Sequence, residues 1–277
     1  MENTPLSVAI LDMYEGTRNI GMHNILEIVN EFSHYLEYEV FDVRGEIKVP
    51  DLSFDIYLFS GGPGNPLVGD EQWLRPFHNL IDELWKYNQY SEAGKKYCFF
   101  ICHSFQMACH HFGIGRITRR RRKSFGTFPV YKTEDGKKEW LFKALDDPFW
   151  VADFREYQVT NPDFQRMDEI GAKLLAIEKE RSKKELQRAM MAVRFSAEMV
   201  GTQFHPEADP NGMRGYFSEK ERVVAIMEEF GKEKLEFMMK DLNHPDKIEK
   251  THRIVLPFFL HRAIQGVRQS KRQPLRV

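Results

Sequence analysis

Two short segments of the sequence contain the residue types that nucleophilic catalysis requires. Cys102 follows directly on the apolar run KYCFFI, residues 96–101, which is typical of a buried central strand. A cysteine at a strand-to-helix turn has an exposed side chain next to the positive end of the following helix, and this favours the reactive thiolate. The sequence therefore makes Cys102 a candidate nucleophile. A buried structural cysteine is the alternative interpretation.

The second segment contains a histidine and a glutamate that are separated by one residue. In an extended chain the side chains of His205 and Glu207 leave on the same side, and Pro206 stiffens the backbone between them. A carboxylate in that position can hold the imidazole in one tautomer while its other ring nitrogen faces a thiol. Together with Cys102, these residues predict a triad of nucleophile, base and orienting acid.

Other clusters of chemically active residues carry less information. The cysteines and histidines in residues 102–111 match no usual spacing of metal ligands, so we expect no metal. The basic run RRRRK, residues 119–123, could receive a phosphate, a nucleotide-bearing domain or RNA. A charge run without interleaved aromatic residues instead favours a solvated strand edge or a partner-docking rim. No cofactor or nucleic acid is expected.

The elements that must position these residues follow an α/β pattern. In the first hundred residues short apolar strands alternate with amphipathic helices, which predicts an open, mostly parallel twisted sheet with helices on both faces. Reactive groups in such sheets collect outside the C-terminal ends of the strands. The segments expected there are residues 60–66, 101–106 and 201–207, and the strands predicted in this half are residues 7–12, 39–43, 55–60 and 96–101.

The second half of the chain has shorter predicted strands and polar turns, which indicate an antiparallel or mixed arrangement. Gly136 is expected at a hairpin tip, and residues 178–188 in an exposed loop or hairpin rim. Ser218 and Glu221 form a capping-box pattern that would open a helix. The strands predicted in this half are residues 126–131, 139–142, 174–178, 190–195 and 200–204, and a last amphipathic stretch, residues 248–267, is interrupted by Pro257.

Composition and charge exclude several classes of protein. With 277 residues, of which 42% are hydrophobic and 29% charged, the chain lies in the ordinary globular range. No apolar run approaches the roughly 18 residues of a membrane helix. Forty basic and 41 acidic residues give a net charge of −1, so no overall field attracts nucleic acid or a membrane. Three clustered cysteines and the lack of a signal-peptide pattern predict a cytoplasmic protein with reduced thiols.

Taken together, these motifs resemble the class I glutamine amidotransferases. That family combines a cysteine at a strand-to-helix elbow with a downstream Gln-Phe-His-Pro-Glu segment, which residues 203–207 match completely. The glycine turn SGGPG, residues 60–64, and Gln106 after the elbow also match. Among the branches of the family, the pattern looks most like the glutaminase domain that feeds GMP synthase.

The resemblance also implies a domain organisation. It covers residues 6–208 in order and spacing, so residues 1–208 would form an amidotransferase domain with a flavodoxin-like fold. Residues 209–277 would form a C-terminal helical extension. That extension could serve as a homodimer interface, a lid or a docking surface, or it could simply cover an exposed face of the sheet.

The resemblance implies a role for each matching residue. Cys102 would attack the side-chain amide carbon of glutamine and form a γ-glutamyl thioester, releasing ammonia. His205 would take the thiol proton and pass it to the leaving nitrogen, and Glu207 would orient His205. The remaining implied positions are the backbone N–H groups of Gly62 and His103 as the oxyanion hole, and Gly61 and Gln106 as substrate contacts.

One departure from the family pattern affects the elbow itself. The family usually has glycine two residues before and two residues after the cysteine, because the tight turn leaves little room for side chains. Phe100 and Ser104 occupy these positions. Either the elbow has repacked around Phe100, or its geometry is spoiled.

Three functions remain open at this level. The first is a glutaminase that passes ammonia to a separate synthetase subunit or releases it; no Walker-type motif is found in the chain. The second is a hydrolase of γ-glutamyl amides or peptides with the same triad and a wider pocket. The third is a non-catalytic binding module in which Phe100 blocks the elbow.

Overall fold

The protein is described by a computed structural model for residues 4–17, 19–67, 71–180 and 187–272. These residues form one nine-stranded sheet with the strand order β2-β1-β3-β4-β9-β8-β7-β5-β6. The strands are β1 (Leu6–Asp12), β2 (Leu36–Asp42), β3 (Ile56–Phe59), β4 (Tyr97–Ile101), β5 (Arg116–Lys132), β6 (Phe149–Thr160), β7 (Lys173–Glu178), β8 (Met190–Arg194) and β9 (Met199–Thr202).

The sheet has a parallel half and an antiparallel half that meet at β9. Strands β2, β1, β3, β4 and β9 are parallel neighbours, whereas β9, β8, β7, β5 and β6 are antiparallel neighbours. The predicted α/β fold is therefore confirmed. The helices are α1 (Ile20–Glu31), α2 (Leu74–Tyr90), α3 (His103–His111), α4 (Glu134–Lys138), α5 (Phe164–Ile170), α6 (Pro210–Phe217), α7 (Lys220–Phe230), α8 (Lys232–Leu242) and α9 (Lys250–Arg272).

Apolar cores lie on both faces of the parallel half. Alternate residues of β1 point to opposite faces, so Ile10 joins the core that includes α1 and α9, and Leu11 joins the core that includes α2 and α3. Both side chains are fully buried. This two-sided burial explains why the strands of this half read as continuous apolar runs.

The chain after the sheet is helical. Helices α6 and α8 pack against the β5–β6 hairpin through a third apolar cluster that includes Ala152, Met213 and Met238. Helix α9 packs on the sheet and contributes Phe259 to the core on the α1 side. It continues through Pro257, which the sequence analysis expected to interrupt it.

None of the helices in the described residues is long and apolar enough to cross a membrane.

Two predictions for the second half are wrong at the level of secondary structure. The predicted strand 139–142 contains instead a 3-10 helix, Trp140–Phe142. Gly136 lies in α4 rather than at a hairpin tip, because Thr133 caps that helix by accepting a hydrogen bond from the Gly136 N–H. A Cβ on Gly136 would stand 1.8 Å from the Leu175 carbonyl oxygen, so the position requires glycine.

The helix start predicted from the capping box is also wrong. Ser218 ends α6, and its hydroxyl donates back to the Arg214 carbonyl at 2.7 Å. Helix α7 begins after Glu219, which makes no side-chain capping bond. Strand β6 was not predicted at all. Of the loop expected over residues 178–188, residues 181–186 lie outside the described part of the chain.

Candidate active site

Cys102 lies at the turn between β4 and α3, as the sequence predicts. Its backbone has φ 48° and ψ −96°, a conformation that non-glycine residues rarely adopt. The turn is fixed on both sides, because the Cys102 N–H donates to the Thr202 carbonyl at 2.8 Å and the Gln106 N–H donates to the Cys102 carbonyl at 3.0 Å. Strained backbone that the surroundings hold in place is typical of functional sites.

The elbow has repacked around Phe100. Its ring is fully buried in the core on the α2 and α3 side, where it stacks on Phe59 with a centroid distance of 4.4 Å. The space comes from Gly201, the partner of Phe100 in the β4–β9 register. A Cβ on Gly201 would lie 2.9 Å from the Phe100 Cβ. Phe100 stands where a glycine is expected before the cysteine, and Gly201 on the neighbouring strand β9 leaves the space that its side chain needs.

Ser104 fits the second elbow position without opening the turn. Its hydroxyl is fully buried and accepts a hydrogen bond from the Ile101 N–H at 2.9 Å. The same oxygen is 2.9 Å from the Phe59 carbonyl, to which it can donate. A hydroxyl with partners on β3 and β4 is satisfied in the core, so it ties the ends of the two strands together.

His205 and Glu207 follow β9 and form a close pair. The His205 N–H donates to the Ala152 carbonyl at 3.0 Å, which fixes the segment against β6. The His205 Nδ1 and Glu207 Oε1 atoms are 2.7 Å apart. Burial would lower the pKa of His205, but the charges of Glu207 and Cys102 and the hydrogen bonds to both outweigh it and raise this pKa well above its ordinary value.

Gly61 lies where the side chains of Cys102 and His205 meet. A Cβ on this glycine would be 3.6 Å from the Cys102 Cβ and 3.0 Å from the His205 Cε1. The structure thus brings Cys102 and His205 to the same point at the C-terminal edge of β3, β4 and β9. The same Cβ would be 2.9 Å from the Tyr14 hydroxyl, so only glycine leaves this space open.

The rest of the glycine turn is held by backbone and by an arginine. A Cβ on Gly62 would lie 2.7 Å from the Met13 carbonyl oxygen, so the turn packs directly on the chain after β1. Arg44 donates from Nη1 to the Pro63 carbonyl at 2.7 Å. This guanidinium therefore anchors the turn beside the elbow.

His103 is the first residue of α3, so its backbone N–H has no partner within the helix. Its side chain is buried next to the positive charge of Arg44. Burial and that charge lower the pKa of His103 to about 3. The His103 imidazole is therefore neutral, and the backbone N–H of His103 lies at the N-terminus of α3 next to Cys102.

Gln106 lies in the first turn of α3 and is almost fully buried. Its side-chain Nε2 donates to the Tyr157 carbonyl at 3.0 Å and to the Gln203 Oε1 at 3.2 Å. It also lines the cavity in front of Cys102. The amide thus links α3 to β6 and to the segment that follows β9.

Tyr14 also lies in the candidate site, although no sequence motif points to it. Burial and the nearby charges of Glu207, Cys102 and Asp12 raise the pKa of Tyr14 well above its ordinary value, so the phenol stays protonated. The available signal was its position directly after β1, at the same edge of the sheet as the other site residues. An aromatic residue in a loop gave no chemical motif to recognise.

A cavity of about 1280 Å³ opens in front of Cys102 and His205. It is lined by the glycine turn, by the start of α1, and by α6 and the start of α7, which we call the outer wall. The residues of the outer wall are Met213, Tyr216, Phe217, Glu219 and Arg222, together with Phe125 and Phe154 from the β5–β6 hairpin.

The basic run 119–123 lies in β5, where the register with β6 shifts. The Arg119 side chain is 73% exposed, whereas Arg120 is largely buried and bound to Gln158 and Glu178. Lys123 lines the cavity. The run is therefore partly a solvated strand surface and partly the rim of the cavity.

The remaining cysteines, Cys98 and Cys109, are free and fully buried. Burial raises the pKa of each thiol well above its ordinary value. Across the residues that the structure describes, no cluster of three or more His, Cys, Asp or Glu side chains could hold a metal ion.

The fold and this site define the class of protein. The chain matches the family described as Glutamine amidotransferase class-I over residues 10–223, and it belongs to that family. A search of curated proteins gives no match.

Solved structures with a similar fold include other amidotransferases. A glutamine amidotransferase from Thermotoga maritima superposes with a TM-score of 0.68 at 17% identity, over 95% of this chain and 99% of that chain. A glutamine amido transferase from Methylobacillus flagellatus gives 0.61 at 13% identity, over 95% and 96% of the two chains. The glutaminase domain of Trypanosoma brucei CTPS, solved with bound acivicin, gives 0.52 at 14% identity, over 73% and 86%.

Proposed function

We propose that this protein hydrolyses the side-chain amide of glutamine to glutamate and ammonia through a thioester on Cys102. The observation that supports this proposal most directly is the convergence of Cys102, His205 and Glu207 at one edge of the sheet, with the His205–Glu207 pair at 2.7 Å. The packing of Phe100 also supports the proposal over a non-catalytic module, because its ring is buried in the core on the α2 and α3 side.

In the first half of the reaction, the Cys102 sulfur attacks the amide carbon and the C–N bond breaks. His205 accepts the thiol proton and transfers it to the leaving nitrogen, which departs as ammonia. Glu207 holds the imidazole in the required tautomer. The N–H groups of Gly62 and His103 bind the negative oxygen of the tetrahedral intermediate, since both border the elbow and the second lies at a helix N-terminus.

In the second half, water attacks the thioester carbon and His205 accepts its proton. The bond to sulfur breaks, the Cys102 thiol is restored, and glutamate leaves. Gly61 and Gln106 contact the substrate. Because both N–H groups of the Gln106 amide are already donated within the protein, only its Oε1 is free to accept a hydrogen bond, and the α-ammonium group of the substrate is the matching donor.

The ammonia is either passed to a separate synthetase subunit or released. In this proposal residues 1–208 carry the chemistry, and residues 209–277 supply the outer wall of the cavity and its helical support. A docked synthetase or a second copy of the chain would use that helical surface.

A second candidate function is hydrolysis of γ-glutamyl amides or peptides by the same triad. The size of the cavity favours it, because about 1280 Å³ exceeds the roughly 300–1000 Å³ that drug-sized ligands occupy. The aromatic outer wall with Tyr216 and Phe217 could receive the amine part of such a substrate. Comparing kcat/KM for glutamine with that for γ-glutamyl-p-nitroanilide separates the two functions.

The experiment that tests the proposal is intact-mass analysis after incubation with 6-diazo-5-oxonorleucine, together with an assay for ammonia released from glutamine. We expect one adduct and ammonia release in the wild type, and neither in Cys102→Ala. Cys109→Ala is the matched control and should behave as the wild type. An unmodified wild-type protein that releases no ammonia would contradict the proposal.

A further inference from the structure

The Cys102 sulfur has a second polar neighbour besides His205. The Gln203 side-chain Nε2 lies 3.8 Å from the Cys102 Sγ in hydrogen-bonding geometry. Gln203 is fully buried, so its amide must find partners inside the protein. Its Oε1 accepts from the Gln106 Nε2 at 3.2 Å.

The direction of these hydrogen bonds is set by a backbone carbonyl. The Tyr157 carbonyl can only accept, so the Gln106 group next to it must be the NH₂ group, Nε2. That NH₂ group can only donate, so Gln203 must turn its oxygen toward Gln106. The Gln203 NH₂ group then necessarily faces Cys102. A flipped Gln203 amide would oppose two donors at one end and place its oxygen against the sulfur at the other.

From this chain of contacts we infer that Gln203 is a positioning residue for the nucleophile, whose amide N–H is held against the Cys102 sulfur by the relay from Tyr157 through Gln106. A donor at this position favours the thiolate over the thiol and restricts the sulfur to the orientation that faces the cavity. The inference deepens the proposed function, since it concerns the same sulfur, but it can be tested without glutamine.

The alkylation profile of Cys102 also depends on the other titratable side chains that face its sulfur. His205 faces Cys102 from the segment after β9, with Glu207 behind it. Tyr14 faces it from the end of β1 and stays protonated, because its pKa is raised. His103 beside it stays neutral, because its pKa is about 3. Removing the amide of Gln203 leaves these groups in place, so a change in thiol reactivity reports on the amide.

The test is the rate of alkylation by iodoacetamide as a function of pH, measured by mass at Cys102. In Gln203→Leu the pH of half-maximal rate should rise by about one unit, the shift that follows from losing a hydrogen bond to a charged group. Gln203→Met should show the same rise, and its unbranched side chain provides a second variant where leucine does not fit. Gln106→Leu should cause a smaller rise, because the Gln203 amide remains but is no longer held in one orientation.

Gln158→Leu is the matched control, because it removes another sheet glutamine that is bonded to Thr118 and Arg120. Its alkylation profile should equal that of the wild type. Folded Gln203→Leu and Gln203→Met proteins with the wild-type profile would overturn the inference. If the alkylation profile shifts in the Gln203 variants as expected but the wild type releases no ammonia from glutamine, only the proposed function is refuted.

Discussion

Gly201→Ala is the most direct test of how the elbow accommodates Phe100. The added Cβ would lie 2.9 Å from the Phe100 Cβ, 2.9 Å from the Phe105 Cδ2 and 3.0 Å from the Phe100 carbonyl oxygen. Carbon atoms in good contact are about 3.5–4.0 Å apart, so the strands must move apart by roughly half an ångström or more. Overpacking of this kind costs about 1–3 kcal/mol of unfolding free energy.

The assay is urea denaturation combined with 6-diazo-5-oxonorleucine labelling of Cys102. Gly201→Ala should be less stable by about 1–3 kcal/mol and should label more slowly, because Gly201 precedes the Thr202 carbonyl that fixes the elbow. Gly215→Ala in α6 is the matched control. Its Cβ would meet nothing within 4 Å, so it should be as stable as the wild type or slightly more stable.

The reasoning fails if Gly201→Ala unfolds at the same urea concentration as the wild type with the same slope. That result would mean that the strands separate freely and that Gly201 provides no space for Phe100. If Gly201→Ala is clearly destabilised but Cys102 is labelled at the wild-type rate, Gly201 contributes to packing only. It then has no effect on the geometry of Cys102.

Three further predictions concern the same edge of the sheet. Gly61→Ala should abolish labelling of Cys102 and turnover of glutamine with little loss of stability, because its Cβ would press on the Tyr14 hydroxyl and the His205 ring rather than on the core. Equal turnover in the wild type and in Gly61→Ala would contradict this prediction. Glu207→Gln should lower the pKa of His205, because the charge of Glu207 is the largest of the interactions that raise this pKa. The stabilisation from a raised histidine pKa is fully present at low pH and disappears as the pH rises through that pKa. The difference in unfolding free energy between the wild type and Glu207→Gln should therefore narrow from pH 6 to pH 9. Urea denaturation of both proteins across this pH range measures it. Arg44→Met should reduce kcat about tenfold or more, as loss of a group that orients oxyanion donors does, and leave cysteine alkylation unchanged; a wild-type kcat would show that the glycine turn holds its shape alone.

The sequence predicted much of the parallel half of the sheet, because its strands are short apolar runs with clear ends. It missed β6 because the strand contains buried polar residues, Asp153 and Arg155, which pair with each other at 2.8 Å inside the fold. Such a pair hides the alternation that identifies a strand. The local pattern around Ser218 resembled a helix start, but the hydroxyl found a nearer carbonyl at the end of α6.

The candidate site shows the same division between local and distant information. Cys102, His205 and Glu207 could be chosen from residue type and spacing, which are local properties of the sequence. The packing of Phe100 against Gly201 could not be predicted from the sequence, because it depends on the register of two strands that are far apart in the chain. Tyr14 was missed for a similar reason, since only the folded sheet brings the end of β1 over Gly61.

The pairing of β4 with β9 also has a consequence for the order of folding. It joins Cys102 to a segment that begins with Gln203, 101 residues later in the chain. Contacts between such distant segments form slowly, because a long loop must close first. In a chain synthesised from its N-terminus, Cys102 therefore meets Gln203 only after β9 has been added beside β4. The residues proposed to activate Cys102 therefore come together late in the maturation of this protein, and a chain that ends before β9 lacks them.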